Sequence, residues 1–356
     1  MTSDKRKLQQ LDRVLSEHKT LLVVTHDYPD PDALASALLL THLARKRHGM
    51  RTKIAYGGLI MRAENRAMVK QLRMKLTEAA RIRWSRYRCI ALVDTQPKFG
   101  NHSLPAEVTP SIVLDHHPRA GATSVLFEDV RLDASSTTAI LLKYLEAADL
   151  ELTTDLATAV AYAIRTETQD LAREASLEDI RTYLSVYAKA SKRKLARILN
   201  PKLPRTYFVL LQTALQNARI FRNLSYVHLG DVESPEFVAL VADLLLRQER
   251  ISWVVVTGRF QQQLHISMRC SHVRSHAGRM LKQIIGKRGS AGGHVTMAGG
   301  QIRLHPEQNG SWEEIEAYVI RRFLKKFKYD EAAEWRPMLA ANHTSENAKL
   351  VKGSPV

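Results

Sequence analysis

Apolar and polar positions along the chain follow two rhythms. Residues 4–18 repeat their apolar positions at helical spacing and predict an amphipathic helix. Thr20 to His26 (TLLVVTH) is a short apolar run rich in β-branched residues, the pattern of a buried strand. Asp32 to Gly49 (DALASALLLTHLARKRHG) returns to the helical period, with Asp32 as candidate N-cap and Gly49 as stop. RTKIAYGG predicts the next strand and Ala63 to Lys75 the next helix. CIALVDTQP and SIVLDHHP are two further apolar strands, and TSVLFEDV is an additional one. Strands alternating with helices predict a mostly parallel sheet with helices on its faces.

From Ser135 to about Gln216 the pattern is mainly helical. Near Ser225 it changes: SYVHLGD, SWVVVTGRF and QLHISMRC read as strands, with a helix around Val238 to Arg247 and a closing helix near Trp312 to Phe327. The expected organisation is an α/β catalytic domain over 1–188 and a helical connector over 189–224. A smaller α/β domain with a mixed sheet follows over 225–330, then a polar, disordered tail over 331–356. A length of 356 residues accommodates two such domains. No apolar run reaches the roughly 18 residues of a membrane span, and the polar first ten residues do not read as a secretory signal. Two cysteines, Cys89 and Cys270, read as core residues of a protein in a reducing compartment, so a cytoplasmic location without membrane partners is expected.

Charge changes this picture. Lys plus Arg number 53 against 36 Asp plus Glu, a net charge of +17. The bases cluster at Arg45-Lys46-Arg47, Arg81 to Arg88, Lys189 to Arg205 and Arg321 to Lys328. They are either solvated helix faces or a field that attracts phosphates and nucleic acid. Few aromatics interleave with them, so a stacking groove for long single strands is not indicated.

Against this basic background the strand ends are acidic. His26, Asp30 and Asp32 follow the first strand, Asp94 ends a later one, and Asp115, His116 and His117 end the next. In a parallel sheet these ends share the edge where ligands bind. Singly each has a plainer reading, as a capped turn or a polar strand end. Jointly they would place acids close enough to repel, a conflict that divalent cations remove. Oxygen and nitrogen donors of this kind suit manganese, magnesium, iron or zinc, and Asp94, alone on its strand end, is the natural bridge between two ions.

The stretches HDYPDPDALAS, ALVDTQP and VLDHHP resemble, in order, the first three motifs of the DHH phosphoesterase superfamily. YAIRTETQDLARE occupies the place of the fourth motif, with Glu167 where the family has Asp and Asp170 one turn on. GSAGGHVTMAGG resembles the glycine-rich signature of the DHH-associated C-terminal domain, and the layout is closest to the branch of nanoRNases and 3′-phosphoadenosine-5′-phosphate phosphatases. The resemblance implies an active site in a cleft between two domains. It implies two divalent cations, manganese foremost, the first held by His26, Asp30 and Asp94 and the second by Asp32, Asp94, His116 and Glu167. Asp115 would support the metal-binding histidine, and His117 would lie near the scissile phosphate. Arg269, Gly292, Gly293 and His294 would hold the distal phosphate or nucleotide.

The implied activity is hydrolysis of short oligoribonucleotides or nucleoside 3′,5′-bisphosphates by metal-activated water. The alternatives are a pyrophosphatase or exopolyphosphatase, and a nucleotide- or nucleic-acid-binding protein with an impaired site. The expected partner is short RNA or a nucleotide phosphate; a homodimer is left open. ASSTTAI reads as a capped helix start that could also contact phosphate, Asn65 and Arg66 as a helix start, and Met268 and Met297 as packing.

Overall fold

The computed structural model describes residues 3–168, 170–171, 175–272, 274–293, 295–304, 311–329 and 334–339. The chain folds as two compact units, Met1–Lys202 and Leu203–Val356.

The first unit runs α1 (Ser3–Ser16), β1 (Thr20–Val24), α2 (Pro31–His48), β2 (Arg51–Tyr56), α3 (Ala63–Gln71), β3 (Leu76–Glu78), β4 (Ile90–Val93), β5 (Ile112–Asp115) and β6 (Phe127–Val130). It continues with α4 (Thr137–Ala147), α5 (Thr154–Glu167), α6 (Leu177–Lys189) and α7 (Lys192–Leu199). Its strands form one sheet in the order β3-β2-β1-β4-β5-β6, every pairing parallel. β1, β4 and β5 are buried almost throughout, as continuous apolar strands covered on both faces must be. The strand order reverses between β1 and β4, so the crevice beyond their carboxyl ends is the topological switch point of the sheet.

Two local details differ from expectation. The N-cap of α2 is Asp30, whose side chain accepts from Ala33 N–H at 3.0 Å, with Pro31 at the first helical position. Asp32 is thereby left inside the first turn, free to point elsewhere. The helix that begins at Ala63 ends at Gln71, and Leu76–Glu78 is a third strand too short to show a period.

The second unit contains α8 (Arg205–Asn217), β7 (Arg219–Phe221), β8 (Leu224–Asp231), α9 (Glu236–Leu245), β9 (Trp253–Phe260), β10 (Gln263–Cys270), α10 (Ala277–Ile285), β11 (Gly289–Gly293), β12 (Met297–Arg303), α11 (Trp312–Lys326) and β13 (Arg336–Pro337). Its sheet, β11-β12-β10-β9-β8-β7-β13, is mixed: β8 and β9 pair in parallel, the other neighbours antiparallel. The stretch read as a connector divides between the units. α7 buries Leu195 and Ile198 in a cluster with Met68 of α3 and Ala159 of α5, while α8 buries Ala214 against β8 and α9. Within the stretch read as a disordered tail, β13 pairs with β7 and Met338 N–H donates to Ala218 C=O at 2.9 Å.

The first part of the glycine-rich segment is edge strand β11, and the glycines on and against it have different duties. A Cβ at Gly278, in the first turn of α10, would stand 2.4 Å from the Gly293 carbonyl oxygen, whereas one at Gly292 would meet nothing within 4 Å. Gly278→Ala should therefore destabilise the second unit by about 1–3 kcal/mol, and Gly292→Ala by less than about 0.5 kcal/mol. Chemical denaturation followed by tryptophan fluorescence reads both; equal effects would show that the close approach is not what the helix requires.

Candidate metal centre

Three strand ends deliver the acidic and imidazole groups. The turn after β1 carries His26 and Asp30, Asp94 directly follows β4, and Asp115 closes β5 with His116 and His117 behind it. Asp94 adopts φ +58°. This left-handed conformation is one that Asp tolerates better than most residues, and it turns the chain sharply at the strand end. Its backbone N–H donates to Leu114 C=O at 2.9 Å, which fastens the turn to β5.

The side chains converge on Asp94. His26 Nε2 stands 3.5 Å from Asp94 Oδ2 and 3.7 Å from Asp30 Oδ1. His116 Nε2 stands 3.6 Å from Asp94 Oδ1 and 3.8 Å from Asp32 Oδ2. Two groups of three ligand atoms result, His26–Asp30–Asp94 and Asp94–His116–His117, each within 4.8 Å and both using Asp94. These separations exceed those of hydrogen bonds. They approach the roughly 3–3.5 Å between two atoms bound to one ion at about 2.1 Å. By donor chemistry and spacing the residues fit a pair of divalent cations sharing one carboxylate.

Asp32 occupies a position the sequence did not reveal. Its Oδ2 and Oδ1 accept the backbone N–H groups of Thr137 and Thr138, each at 2.8 Å, at the N-terminus of α4. The Thr137 hydroxyl donates to Asp94 Oδ1 at 3.0 Å. The segment ASSTTAI is thus a capped helix start, as expected, with Ser136 as N-cap. It also holds two of the acids, its N–H groups and dipole opposing their repulsion. Burial and the charges of Asp94 and Asp30 nevertheless push the Asp32 carboxyl well above its ordinary range.

Glu167, the last residue of α5, lies in the field of the same acids. Burial, followed by the charges of Asp30, Asp32 and Asp94, pushes it up to about 10. It belongs to neither three-residue group. Asp170 pairs instead with Arg165. For Asp30 burial acts upward, but the contact with His26 and the hydrogen bond from Ala33 N–H outweigh it and hold the carboxyl down at about 2. Burial lowers His26, but its contacts with Asp30 and Asp94 outweigh this and raise it well above its ordinary value.

Asp115 supports a different histidine from the one expected. Its Oδ1 contacts His117 Nδ1 at 2.9 Å and meets His116 only through the backbone N–H, also at 2.9 Å. The hydrogen bond that His117 donates to Asp115 is the main cause that raises His117 to about 9, against the downward pull of burial. Burial pushes Asp115 itself upward, but its bonds to His117 and Gln96 prevail and hold it below its ordinary value. Gln96, quoted in the second motif yet assigned no role there, donates Nε2–H to Asp115 Oδ2 at 2.7 Å and to His117 C=O at 3.2 Å. Its Oε1 accepts from Ala120 N–H at 2.9 Å, fixing the loop behind the histidines. Asp115→Asn should lower the titration of His117 by at least one pH unit, read from imidazole NMR resonances of the metal-free protein; an unmoved midpoint would assign the shift to Asp94.

Of the residues expected to hold the distal phosphate, Arg269, Gly292 and Gly293 belong to the second unit. Arg269 is buried, its Nε paired with Asp243 and its Nη1 donating to Ser267 Oγ at 2.8 Å and Met268 C=O at 3.1 Å. Much of its planar fork is committed within the second unit, because the end of β10 faces α9. Gly292 and Gly293 lie on edge strand β11, and His294 lies outside the described residues. Asn65 is buried and accepts from the Tyr162 hydroxyl at 3.2 Å. Met268 and both cysteines are buried, and the cysteines are unpaired.

Residues 20–164 match the family described as DHH family, N-terminal domain. An uncharacterized protein of Methanocaldococcus jannaschii is 36% identical over 319 residues, 84% of this chain and 64% of that protein, so the chain spans less than two thirds of the curated relative it matches. Among solved structures, an exopolyphosphatase-related protein from Bacteroides fragilis aligns at TM-score 0.70 and 15% identity over 92% of this chain and 98% of its own. Exonuclease RecJ bound to manganese aligns at 0.50 and 14%, over 93% and 96%. At these identities the likeness is one of fold. No helix among the described residues is long and apolar enough to cross a membrane.

Proposed function

We propose that this chain, whose residues 20–164 match the DHH family N-terminal domain, is a metal-dependent phosphoesterase acting on short oligoribonucleotides or nucleoside bisphosphates. The observation that carries this reading is the pair of His/Asp groups meeting at Asp94. Asp94, His26 and Asp30 are proposed as ligands of one cation; Asp94, Asp32, His116 and Glu167 of the other, with manganese the preferred metal, as in the manganese-bound RecJ exonuclease. When bound, the cations would supply charge neutralisation and a water acidic enough to ionise near neutral pH.

The chain's own residues do the rest. The N-terminus of α4 keeps Asp32 and Asp94 aimed inward through the bonds from Thr137 and Thr138. Asp115, itself fixed by Gln96, holds His117 by Nδ1, leaving Nε2 to donate to a phosphoryl oxygen where negative charge develops. The bond to Asp115, the main cause that raises His117 above its ordinary value, favours the protonated ring. The net charge of +17 draws in anionic substrates. The buried, unpaired cysteines suit the reducing cytoplasm.

Incubation with manganese and a panel of labelled dinucleotide, longer RNA, nucleoside bisphosphate and inorganic pyrophosphate tests the proposal. Selective loss of the dinucleotide or bisphosphate is expected. Turnover of pyrophosphate alone would reverse the substrate assignment, and binding without turnover of any member would leave a binding protein.

A further inference from the structure

The turn that carries His26 and Asp30 also carries an aromatic ring that the metal site does not use. Tyr28 lies two residues from each of them, and about half of its surface, 51%, is exposed. Its backbone has φ +58°, a conformation uncommon for a bulky residue, and its N–H is fastened to Gly57 C=O at 3.0 Å. The preceding residue is pinned as well. Asp27 N–H donates to Asn101 C=O at 2.6 Å, and Asp27 Oδ1 accepts from Ser103 Oγ at 2.7 Å. The ring is therefore presented by a rigid turn rather than by a loose loop tip.

One face of that ring is covered. A Cβ built on Gly58 would stand 2.8, 2.8 and 2.9 Å from Tyr28 Cδ1, Cε1 and Cζ. Near-equal distances to three consecutive ring atoms place that point above the ring face; a point beside the edge would be distinctly closer to one atom. The Gly57-Gly58 backbone at the end of β2 thus supports the ring from one side, and the exposed surface lies on the other. Leu59, the residue after Gly58, is itself 50% exposed. This rigidly backed ring at the rim of a charged site can give a phosphate group only the hydrogen bond of its hydroxyl, which Tyr28→Phe removes. It offers a flat π-surface to a flat partner.

We propose that Tyr28 is a stacking platform for a nucleobase of the substrate, so that the site selects base-bearing phosphoesters over inorganic pyrophosphate or polyphosphate. The proposal rests on the phosphoesterase reading above and narrows it to substrates with a base next to the scissile phosphate. Gly58 is part of the device, because any side chain there would displace the ring.

Three variants and two substrates test it. Tyr28→Asn removes the ring while tolerating φ above zero, Tyr28→Ala removes it without that tolerance, and Tyr28→Phe keeps the ring. With manganese and a dinucleotide, Tyr28→Asn and Tyr28→Ala should raise KM by about tenfold and change kcat by less than about twofold, whereas Tyr28→Phe should restore the wild-type KM. With a dinucleotide made abasic beside the scissile phosphate, wild type and Tyr28→Asn should share one raised KM. A binding measurement stands beside the kinetics: quenching of a 2-aminopurine dinucleotide should be strong in wild type and Tyr28→Phe and lost in Tyr28→Asn. An unchanged KM and unchanged quenching in Tyr28→Asn would overturn the platform, as would an equal rise in KM on the abasic substrate. Quenching that depends on the ring, in a protein that turns over no phosphoester, would instead overturn the phosphoesterase reading and keep the platform.

Discussion

Asp94→Asn should abolish hydrolysis and reduce the number of cations bound. Losing a mere supporting partner of a ligand typically costs 10–100-fold in metal affinity or activity; removing the charge shared by both ligand groups should exceed about 100-fold. The fold should survive. Asparagine tolerates the φ +58° of this position and accepts from Thr137 as aspartate does. In the metal-free protein one negative charge fewer beside Asp32 and Glu167 eases the repulsion that keeps them protonated, which offsets the weakened contacts with His26 and His116. Calorimetric titration with manganese, together with a thermal melt in chelator, separates the effects. Loss of metal and activity with an unchanged or raised melting temperature is the expected outcome; a variant that still binds two cations and turns over substrate would show that Asp94 is no bridge.

The metal-free protein should lose stability as pH rises. Glu167 keeps its proton up to about 10 and His117 up to about 9 in the folded state; in the unfolded chain those protons leave near 4.3 and 6.5. Between these limits the native state binds more protons, so each pH unit removes up to about 1.4 kcal/mol per such proton. His26 and Asp32, both raised, act in the same direction. Asp30 at about 2 and the lowered Asp115 act oppositely, but only in acid, below the ordinary carboxylate range. The melting temperature in chelator should therefore fall from pH 5 to pH 9, and saturating manganese should flatten that slope by taking the place of the protons. Affinity for manganese should rise over the same range, with proton release visible in buffers of different ionisation enthalpy. A metal-free melting temperature that is level or climbs with pH would show that these groups ionise freely.

Much of the site was legible because a parallel sheet converts sequence into geometry. An acid after each of three apolar strands has to appear on one edge, so His26, Asp94 and His116 could be brought together without a structure. What the sequence hid depends on contacts across long separations. Asp32 resembled an N-cap by spacing, yet it receives the first N–H groups of α4, more than a hundred residues later. His116 and His117 are adjacent and chemically identical, and only the turn after β5 decides which ring Asp115 holds. Arg269 had the chemistry of a phosphate clamp; its pairing with Asp243 on α9 could not be read from β10 alone. The glycine-rich stretch reads by itself as a turn-rich hairpin, which β11 and β12 form, but its place in the larger sheet was hidden because glycine-rich segments carry little apolar alternation, and β3 was hidden because three residues show no period.

Anomalous scattering from a crystal soaked in manganese tests the central claim most directly. Two peaks about 3.5–4 Å apart should flank the Asp94 carboxylate, one beside His26 and Asp30 and the other beside His116 and Asp32. A single peak, or peaks that leave Asp94 unligated, would contradict it.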